Sequence, residues 1–379
     1  MGEPTIDLLR DLIAIDSVNP SLVSGGAGER VIADFVSEKM RAAGLDVQLT
    51  EVSPGRPNVV GVLEGARSGP TMMYCGHLDT VGVEGMKSPF DPIEREGKLY
   101  GRGSGDMKGG VAAMMVAAAE LARSGGLKSG KLVIAAVADE EFASIGAEKL
   151  VHDWKADAAV VTEPTDLVVA TAHKGFSWVE VASEGRAAHG SRPNEGRDAI
   201  LAMGKVLSRL EKLNQRLRSG RSHPQLGTGS LHASLISGGR ELSTYPDHCK
   251  LHFERRTITG EPPGIALEEI NQILSELSAE DAEFKATARL EFERLPYETP
   301  GNHPLPALVE AALTKTGRRP SRGGMTYWTD AAVLGEAGIP CVIFGPGGFG
   351  YHGLEEYVVI SEVIACKEAL VTLAADFCS

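Results

Sequence analysis

The length, composition and charge of the chain exclude several classes of protein. With 379 residues, 42% of them hydrophobic and 23% charged, the chain exceeds what one core usually supports, and we expect two domains. No apolar run reaches the ~20 residues of a membrane span, and the N-terminus shows no signal-peptide pattern, so we predict a cytoplasmic protein without a membrane partner. The net charge of −13 argues against nucleic acid and anionic membranes as partners.

The cysteines do not predict a disulfide framework or a thiolate zinc site. There are five, which is an odd number, and they are scattered without a Cys-x-x-Cys pair. Cys75 and Cys341 lie within apolar runs, and we predict that both are buried as small hydrophobic side chains.

The first part of the chain alternates helical patterns with apolar strands. The predicted helices span Thr5–Ile15, Glu29–Ala43 and Lys108–Arg123, and the predicted strands span Val47–Val52, Asn58–Leu63, Thr71–Cys75, Lys131–Ala138 and Ala158–Val161. A helix over Leu305–Thr316 and a strand over Pro340–Phe344 continue the pattern near the C-terminus. This alternation predicts an α/β domain with a mainly parallel sheet that is covered on both faces.

The middle of the chain has a different order of elements. It reads as a strand, a helix, two strands, a helix and a strand, over Phe176–Ala182, Arg197–Leu213, Ser230–Ile236, Lys250–Arg256, Leu267–Leu277 and Ala286–Phe292. That β-α-β-β-α-β order is typical of a ferredoxin-like α+β unit. We therefore predict an inserted domain over residues 176–293 and an α/β domain made of residues 1–175 and 294–379.

Residues of the metal-ligand type stand at the ends of the predicted strands. His77 and Asp79 come directly after the strand Thr71–Cys75, and similar boundaries carry Asp106, Glu140, Glu141, Glu163 and His352. Open α/β sheets bind ligands beyond the carboxyl ends of their strands. Imidazoles and carboxylates are zinc ligands, and two ions can share a carboxylate and polarise one water molecule. The pattern predicts a two-metal hydrolase, with Asp106 as a candidate bridge.

Two other kinds of site are not supported by the sequence. The Gly-rich turn Gly101–Gly105 lacks the Gly-Lys-Ser/Thr ending of a phosphate loop, which disfavours nucleotide binding. Ser104 within it does not stand in the strand-turn-helix context of a serine nucleophile. The other histidines have no carboxylate or histidine partners at a metal-ligand spacing, and we interpret them as structural. They are His152, His173, His223, His232, His248, His252 and His303.

An ordered set of short motifs runs over nearly the whole chain. The set comprises Gly76–Thr80, Gly101–Gly110, Asp139–Glu141, Thr162–Pro164, Ala188–Ser191, Gly345–Gly347 and Tyr351–His352. It resembles the dizinc family that contains acetylornithine deacetylase, succinyl-diaminopimelate desuccinylase, aminoacylase and glutamate carboxypeptidase. The resemblance implies a zinc-hydrolase α/β domain with an inserted ferredoxin-like lid and dimerisation domain.

The resemblance also implies a ligand set for two zinc ions per chain, with Co²⁺ or Mn²⁺ as possible substitutes. The ligands would be His77, Glu163 and Asp106 for one ion, and His352, Glu141 and Asp106 for the other. Asp79 would orient His77 without contacting the metal, which is the usual role of a carboxylate beside a metal-bound imidazole.

The implied chemistry is hydrolysis of an amide by a zinc-bridged water molecule. Glu140 would act as general base and return the proton to the leaving amine. In the resembled family, a lid histidine reaches into the partner subunit's site and donates a hydrogen bond to the developing oxyanion. Here that histidine is His189, so the resemblance implies a homodimer formed through the lid.

The resemblance implies less about the substrate. Arg256 corresponds to the arginine that clamps the substrate carboxylate, with Arg255 as the alternative. Ser243 stands where many relatives have asparagine, and Trp328 lies in a segment expected to line the pocket.

Three functions remain open at this point. We favour a deacylase acting on N-acyl amino acids, in the manner of the acetylornithine and succinyl-diaminopimelate enzymes. One alternative is an exopeptidase or dipeptidase resembling glutamate carboxypeptidase, acting on short peptides. Another is a noncatalytic binding protein that keeps the fold.

Overall fold

The computed structural model describes residues 2–379, which form two compact units. The first unit comprises residues 2–172, Thr299–Gly324 and Thr329–Ser379, and the second comprises His173–Glu298 and Met325–Trp328.

The helices of both units are numbered here in chain order. They are α1 (Pro4–Ile13), α2 (Arg30–Ala42), α3 (Gly109–Arg123), α4 (Ile145–Asp153), α5 (Ala199–Ser219), α6 (Ile265–Glu280), α7 (Leu305–Lys315), α8 (Ala331–Glu336) and α9 (Ile360–Phe377). Among the helices of residues 2–379, none combines the length and the hydropathy that a transmembrane span requires.

The strands are numbered in the same way. They are β1 (Asp46–Ser53), β2 (Arg56–Glu64), β3 (Thr71–His77), β4 (Ile93–Arg95), β5 (Lys98–Tyr100), β6 (Lys131–Val137), β7 (Ala158–Val161), β8 (Val169–His173), β9 (Gly175–Glu184), β10 (Ser222–His223), β11 (Gly227–Thr228), β12 (Ser230–Gly238), β13 (His248–Thr257), β14 (Lys285–Arg294), β15 (Tyr297–Glu298), β16 (Arg322–Met325), β17 (Cys341–Ile343), β18 (Gly348–Phe349) and β19 (Tyr357–Val359).

The large sheet of the first unit confirms the predicted α/β architecture. Its strands run in the order β1-β2-β6-β3-β7-β17-β8, and the pairs β6/β3, β3/β7 and β7/β17 at its centre are parallel. The outer pairs are antiparallel. Every residue of β3 is buried, as expected for a strand that is covered on both faces.

Helices α1, α2, α3 and α9 contribute buried apolar residues to the core that covers this sheet. Gly110 shows how closely α3 approaches it, because a Cβ atom at this position would lie 1.9 Å from the carbonyl oxygen of Thr162. Only glycine permits that approach. The start of α3 is thereby held beside the end of β7.

A small four-stranded sheet, which the sequence did not predict, also belongs to the first unit. Its order is β18-β19-β5-β4, and Tyr357 of β19 pairs with Tyr100 of β5 in antiparallel register. The Gly-rich turn follows β5, and His352 lies between β18 and β19. The two loops therefore leave neighbouring strands.

The second unit has its own sheet and core. The strand order is β12-β13-β9-β14 with antiparallel pairing, and apolar residues of α5 and α6 pack in one cluster with those of the sheet. Its main elements follow one another as β-α-β-β-α-β along the chain. Residues 325–328, which the predicted boundaries assign to the α/β domain, join this unit because Met325 O accepts the backbone N–H of Lys174 and Trp328 Nε1 donates to Leu295 O.

Candidate metal centre

Three neighbouring parallel strands bring four of the predicted residues to one edge of the large sheet. His77 is the last residue of β3, Glu140 and Glu141 follow β6, and Glu163 follows β7. The strands are parallel neighbours, so their carboxyl ends meet at that edge. The small sheet adds the two residues that come from loops, Asp106 and His352.

Asp106 lies between the two histidines. Its Oδ1 atom is 3.2 Å from Nε2 of His77, and its Oδ2 atom is 3.4 Å from Nε2 of His352. Each carboxylate oxygen therefore faces a different imidazole. This is the arrangement that a carboxylate needs in order to bridge two ions.

Three glutamates complete the cluster. Glu141 Oε2 lies 3.1 Å from Nε2 of His352. Glu163 Oε1 and Glu140 Oε2 lie 3.8 Å and 4.0 Å from Nε2 of His77. Each of the trios His77, Asp106, Glu141 and His77, Glu140, Glu163 offers ligand atoms that all lie within 4.8 Å of one another.

The hydrogen bond on the other side of the His77 ring sets its tautomer. Nδ1 is 2.9 Å from the backbone carbonyl oxygen of Asp79, which can only accept, so Nδ1 carries the proton. In the neutral ring, Nε2 is then the nitrogen with a free lone pair facing Asp106.

The side chain of Asp79 does not hydrogen-bond to His77, although the sequence analysis expected it to orient that ring. Its carboxylate oxygen is 3.6 Å from Nδ1 of His77, beyond hydrogen-bonding distance, and the main-chain carbonyl holds the ring instead. The carboxylate accepts the backbone N–H groups of Glu140 at 3.1 Å and of Glu141 at 3.2 Å. Asp79 therefore orients the two glutamates with its side chain and His77 with its backbone.

Asn19 is a residue of the site that the sequence analysis missed. Its Nδ2 atom donates to Asp79 Oδ2 at 2.7 Å and to Asp139 Oδ1 at 3.0 Å, and its side chain is buried. An Asn-Pro pair after a helix is typical of a turn, so nothing in the local sequence indicates this role.

A buried ion-pair network supports Asp139, the residue before the two glutamates. Asp139 has a φ of +70° and pairs with Arg56 at 2.7 Å, and Arg56 in turn binds Glu29 through two nitrogens. Glu29 Oε1 also accepts the backbone N–H of Asp139 at 3.2 Å. The network holds a left-handed turn that allows Glu140 and Glu141 to enter the cluster.

Burial and the repulsion of neighbouring carboxylates raise the pKa values of the three glutamates. Burial raises the pKa of Glu140 and of Glu163 well above the usual value, and the charge of Glu163 adds to the effect at Glu140. Burial and the neighbouring charge of Asp106 raise the pKa of Glu141 to about 7.

The pKa values of both histidines are also raised, because the neighbouring carboxylates favour the charged imidazolium. Hydrogen bonds to Asp106 and Glu141 raise the pKa of His352 to about 10. Burial opposes protonation of His77, but its hydrogen bond to Asp106 and the charge of Glu163 outweigh burial and raise its pKa well above the usual value. Burial would raise the pKa of Asp106, yet its bonds to His352 and His77 hold that pKa below its usual range.

The donor set fits divalent metal ions. Among residues 2–379, no lysine or arginine forms an ion pair with Glu140, Glu141 or Glu163, so their charges have only imidazole partners. The buried Oε1 atom of Glu141 has no hydrogen-bond partner within the described residues. Imidazole nitrogens and carboxylate oxygens are ligands for zinc and similar ions, and dications would compensate the buried negative charge.

The two candidate arginines of the second unit differ in availability. Arg255 is fully buried, and its guanidinium binds Glu261 at 2.6 Å and Glu269 at 3.1 Å. The side chain of Arg256 is 32% exposed, contacts Glu254, and lies over the ring of Phe176 at 5.3 Å from its centroid. Of these two arginines, Arg256 is the one whose guanidinium a ligand could reach.

The other predicted residues of the second unit lie in two places. His189 and Ser243 are exposed and come from paired loops, because Gly190 N donates to Ser243 O at 2.7 Å. Nδ1 of His189 lies 2.8 Å from Oγ of Ser191. Trp328 is half-buried, and its ring packs edge-on against those of His173 and Phe176.

Comparison with known sequences settles the family. The profile of peptidase family M20/M25/M40 matches residues 73–376. This segment contains every residue of the candidate metal cluster, which are His77, Asp106, Glu140, Glu141, Glu163 and His352. The chain belongs to this family.

Curated relatives of this M20/M25/M40 family member include deacylases. It is 29% identical over 386 residues to an acetylornithine deacetylase from Myxococcus xanthus, covering 98% of this chain and 96% of that protein. It is 28% identical over 412 residues to the N-formyl-4-amino-5-aminomethyl-2-methylpyrimidine deformylase of Bacillus subtilis, covering 100% of this chain and 95% of that protein.

Solved structures of peptidases share the fold. An aminopeptidase from Bacillus cereus matches with a TM-score of 0.82 at 19% identity, over 99% of this chain and 98% of its own. A dinuclear metal binding peptidase of the M20 family from Bacillus subtilis matches with a TM-score of 0.75 at 16% identity, over 98% and 97% of the two chains. The chain is thus a metal-dependent hydrolase of the M20/M25/M40 family, which contains peptidases and deacylases.

Proposed function

We propose that the protein is a dinuclear metal hydrolase that cleaves the amide bond of an N-acyl amino acid. The observation that carries the proposal is the position of Asp106, whose two oxygens lie 3.2 Å from His77 Nε2 and 3.4 Å from His352 Nε2. His77 and Glu163 would hold one ion, and His352 and Glu141 the other, with Asp106 common to both.

Bound ions would supply Lewis acidity that polarises the amide carbonyl and lowers the pKa of a water molecule. Glu140 is the remaining carboxylate of the cluster, and burial raises its pKa, which makes it a better proton acceptor once ionised. It takes one proton from the attacking water as the C–O bond forms. It then delivers that proton to the amine nitrogen as the C–N bond breaks, leaving a carboxylic acid and a free amine.

We propose zinc as the native metal, with Co²⁺ or Mn²⁺ as substitutes. The donors are imidazole and carboxylate, and no cysteine is among them, which suits this group of ions. All five cysteines are buried without disulfides.

We propose that Arg256 binds the substrate carboxylate, supported by its exposure and by the ion pairs that occupy Arg255. The guanidinium fork matches a carboxylate in two hydrogen bonds. Relatives named acetylornithine deacetylase favour an acylated amino acid over a peptide. His189 and Ser243, whose loops are paired, would contact the substrate from the second unit, together with Trp328.

We also propose that the protein forms a homodimer through the second unit. Strand β12 is an edge strand of that unit's sheet, and it exposes 68% of Leu235 and 55% of Ile236. An apolar edge strand favours pairing with another strand. In such a dimer, His189 would complete the partner subunit's site.

The test combines metal analysis with a substrate screen. Metal-free protein is titrated with Zn²⁺ and assayed on N-acetyl, N-succinyl and N-aroyl amino acids and on dipeptides. We expect two ions per chain and turnover of acylated amino acids. Turnover of dipeptides alone would favour the exopeptidase, and the absence of any turnover with two ions bound would favour a binding protein. An Asp106→Ala variant that still binds two ions with unchanged affinity would contradict the bridging role.

A further inference from the structure

Glu356 lies where the two loops of the proposed metal centre meet. It comes one residue before β19, which pairs with β5, and its backbone carbonyl accepts the N–H of Gly101 at 3.1 Å. The Gly-rich turn that ends at Asp106 starts from Gly101. A main-chain hydrogen bond thus joins the hairpin that carries His352 to the turn that carries Asp106.

The carboxylate of Glu356 makes further bonds to that turn. Oε1 accepts the backbone N–H groups of Gly105 at 2.9 Å and of Asp106 at 3.0 Å, and Oε2 accepts the N–H of Gly103 at 3.0 Å. The residue is 1% exposed. Backbone N–H groups that converge in this way form a concave anion site, and here the chain fills it with its own carboxylate. Glu356 therefore fixes the backbone from which the Asp106 side chain projects.

Arg102 extends the same contact to the His352 loop. Its Nη1 donates to Glu356 Oε2 at 2.7 Å, while Nη2 donates to the carbonyl of Gly353 at 2.8 Å and to that of Gly82 at 3.1 Å. Gly353 directly follows His352. The buried pair Arg102 and Glu356 thus connects the backbone on both sides of the contact between Asp106 and His352.

We infer that Glu356 is a positioning residue for the dinuclear centre. It sets the distance between the Asp106 carboxylate and the His352 imidazole, and so the geometry of the ion that the two residues share. The inference rests on the proposed dinuclear function. His352 needs such support because its side chain is 53% exposed and its backbone is left-handed, with a φ of +61°. Residues that orient metal ligands typically change metal affinity or activity by about 10–100-fold when they are replaced.

The alternative is that Glu356 only stabilises the fold. Glu356→Gln separates the two roles, because glutamine keeps the shape but turns an NH₂ donor toward groups that are themselves donors. The measurement is calorimetric titration of metal-free protein with Zn²⁺, together with the visible spectrum of the Co²⁺-loaded protein. We expect the ion on the His352 side to bind about 10–100-fold more weakly, the ion on the His77 side to bind nearly as in the wild type, and the Co²⁺ bands to shift.

Glu261→Gln is the matched control. Glu261 also accepts hydrogen bonds from a buried arginine, Arg255 Nη2 at 2.6 Å, and from a backbone N–H, that of Ile258 at 2.8 Å. It belongs to the second unit. This variant should lose thermal stability without any change in metal affinity or in the Co²⁺ spectrum.

Several results would overturn the inference. One is a Glu356→Gln protein with wild-type affinity for both ions and an unshifted spectrum. Another is a loss of metal affinity that the control shows in equal measure. If the wild type binds fewer than two ions, the dinuclear proposal itself is refuted and the inference falls with it. Should Glu356→Gln not fold, Arg102→Lys is the second variant. Lysine keeps the positive charge but loses the forked guanidinium that reaches the carbonyls of Gly353 and Gly82. Weaker Zn²⁺ binding on the His352 side supports the inference, and unchanged Zn²⁺ binding overturns it.

Discussion

The carboxylate of Asp79 accepts the backbone N–H of Glu140 at 3.1 Å. The aspartate thereby orients the proposed general base through the main chain. Asp79→Asn should turn an amide donor toward the N–H of either Glu140 or Glu141, and we expect kcat to fall by about 10–100-fold. Steady-state kinetics and metal analysis of the same preparation check this. An unchanged kcat would show that the Asp79 carboxylate is not needed to orient Glu140, and that the backbone carbonyl of residue 79 is the part that the site requires.

The adjacent glutamates should give different defects. Glu140→Gln removes the proposed base but leaves the ligand set, so kcat should fall by roughly 10²–10⁴ at constant metal content. Glu141→Gln should weaken binding of the ion beside His352, because Glu141 Oε2 lies 3.1 Å from that imidazole. Equal metal loss in both variants would contradict the assignment.

Arg256 and the substrate carboxylate should behave as one interaction. Arg256→Ala and amidation of the substrate carboxylate should each lower kcat/KM, and the combination should be hardly worse than either change alone. Additive losses would indicate that another group binds the carboxylate.

Arg255→Ala serves as the comparison. It leaves Glu261 and Glu269 without their buried partner, so it should lower the free energy of unfolding by roughly 3–5 kcal/mol. Its defect should therefore appear in urea denaturation and not in the response to substrate amidation.

A homodimer with shared sites should show complementation. When Glu140→Gln and His189→Ala subunits exchange, about half of the dimers are mixed, and each mixed dimer has one site with both residues intact. About a quarter of wild-type activity should return. No recovery despite demonstrated subunit exchange would mean that His189 does not act in the partner subunit's site.

His173 should make the stability of the protein depend on pH. Burial lowers its pKa from 6.5 to about 4, so between these values the unfolded chain binds a proton that the folded chain does not. The free energy of unfolding should fall as the pH drops from 6.5 toward 4, by up to about 1.4 kcal/mol per pH unit from this residue. His173→Phe keeps a ring beside Tyr297 and Trp328. In this variant, the free energy of unfolding should fall less steeply as the pH drops. Urea denaturation at pH 7, 6 and 5 measures the slope, and an equal slope in the variant would contradict the assignment.

Sequence alone was sufficient for the elements with a strong pattern. The apolar run before His77 predicted a buried strand, and the structure places that strand as β3 in the middle of the sheet. Local periodicity determines such elements because burial on both faces requires a continuous apolar run. The strands of the small sheet have two or three residues each, too few for a pattern to appear, and they were missed.

Only the tertiary structure decided which side chains support the candidate centre. Asn19 is 60 residues from Asp79, and Glu356 is 254 residues from Arg102, so no local pattern links either pair. Arg255 and Arg256 have the same chemistry but differ in burial, because successive residues of a strand face opposite sides of its sheet. Arg255 points into the unit and Arg256 out of it. The residue types that bind metal can be read from the chain, whereas their orientation depends on contacts that only folding creates.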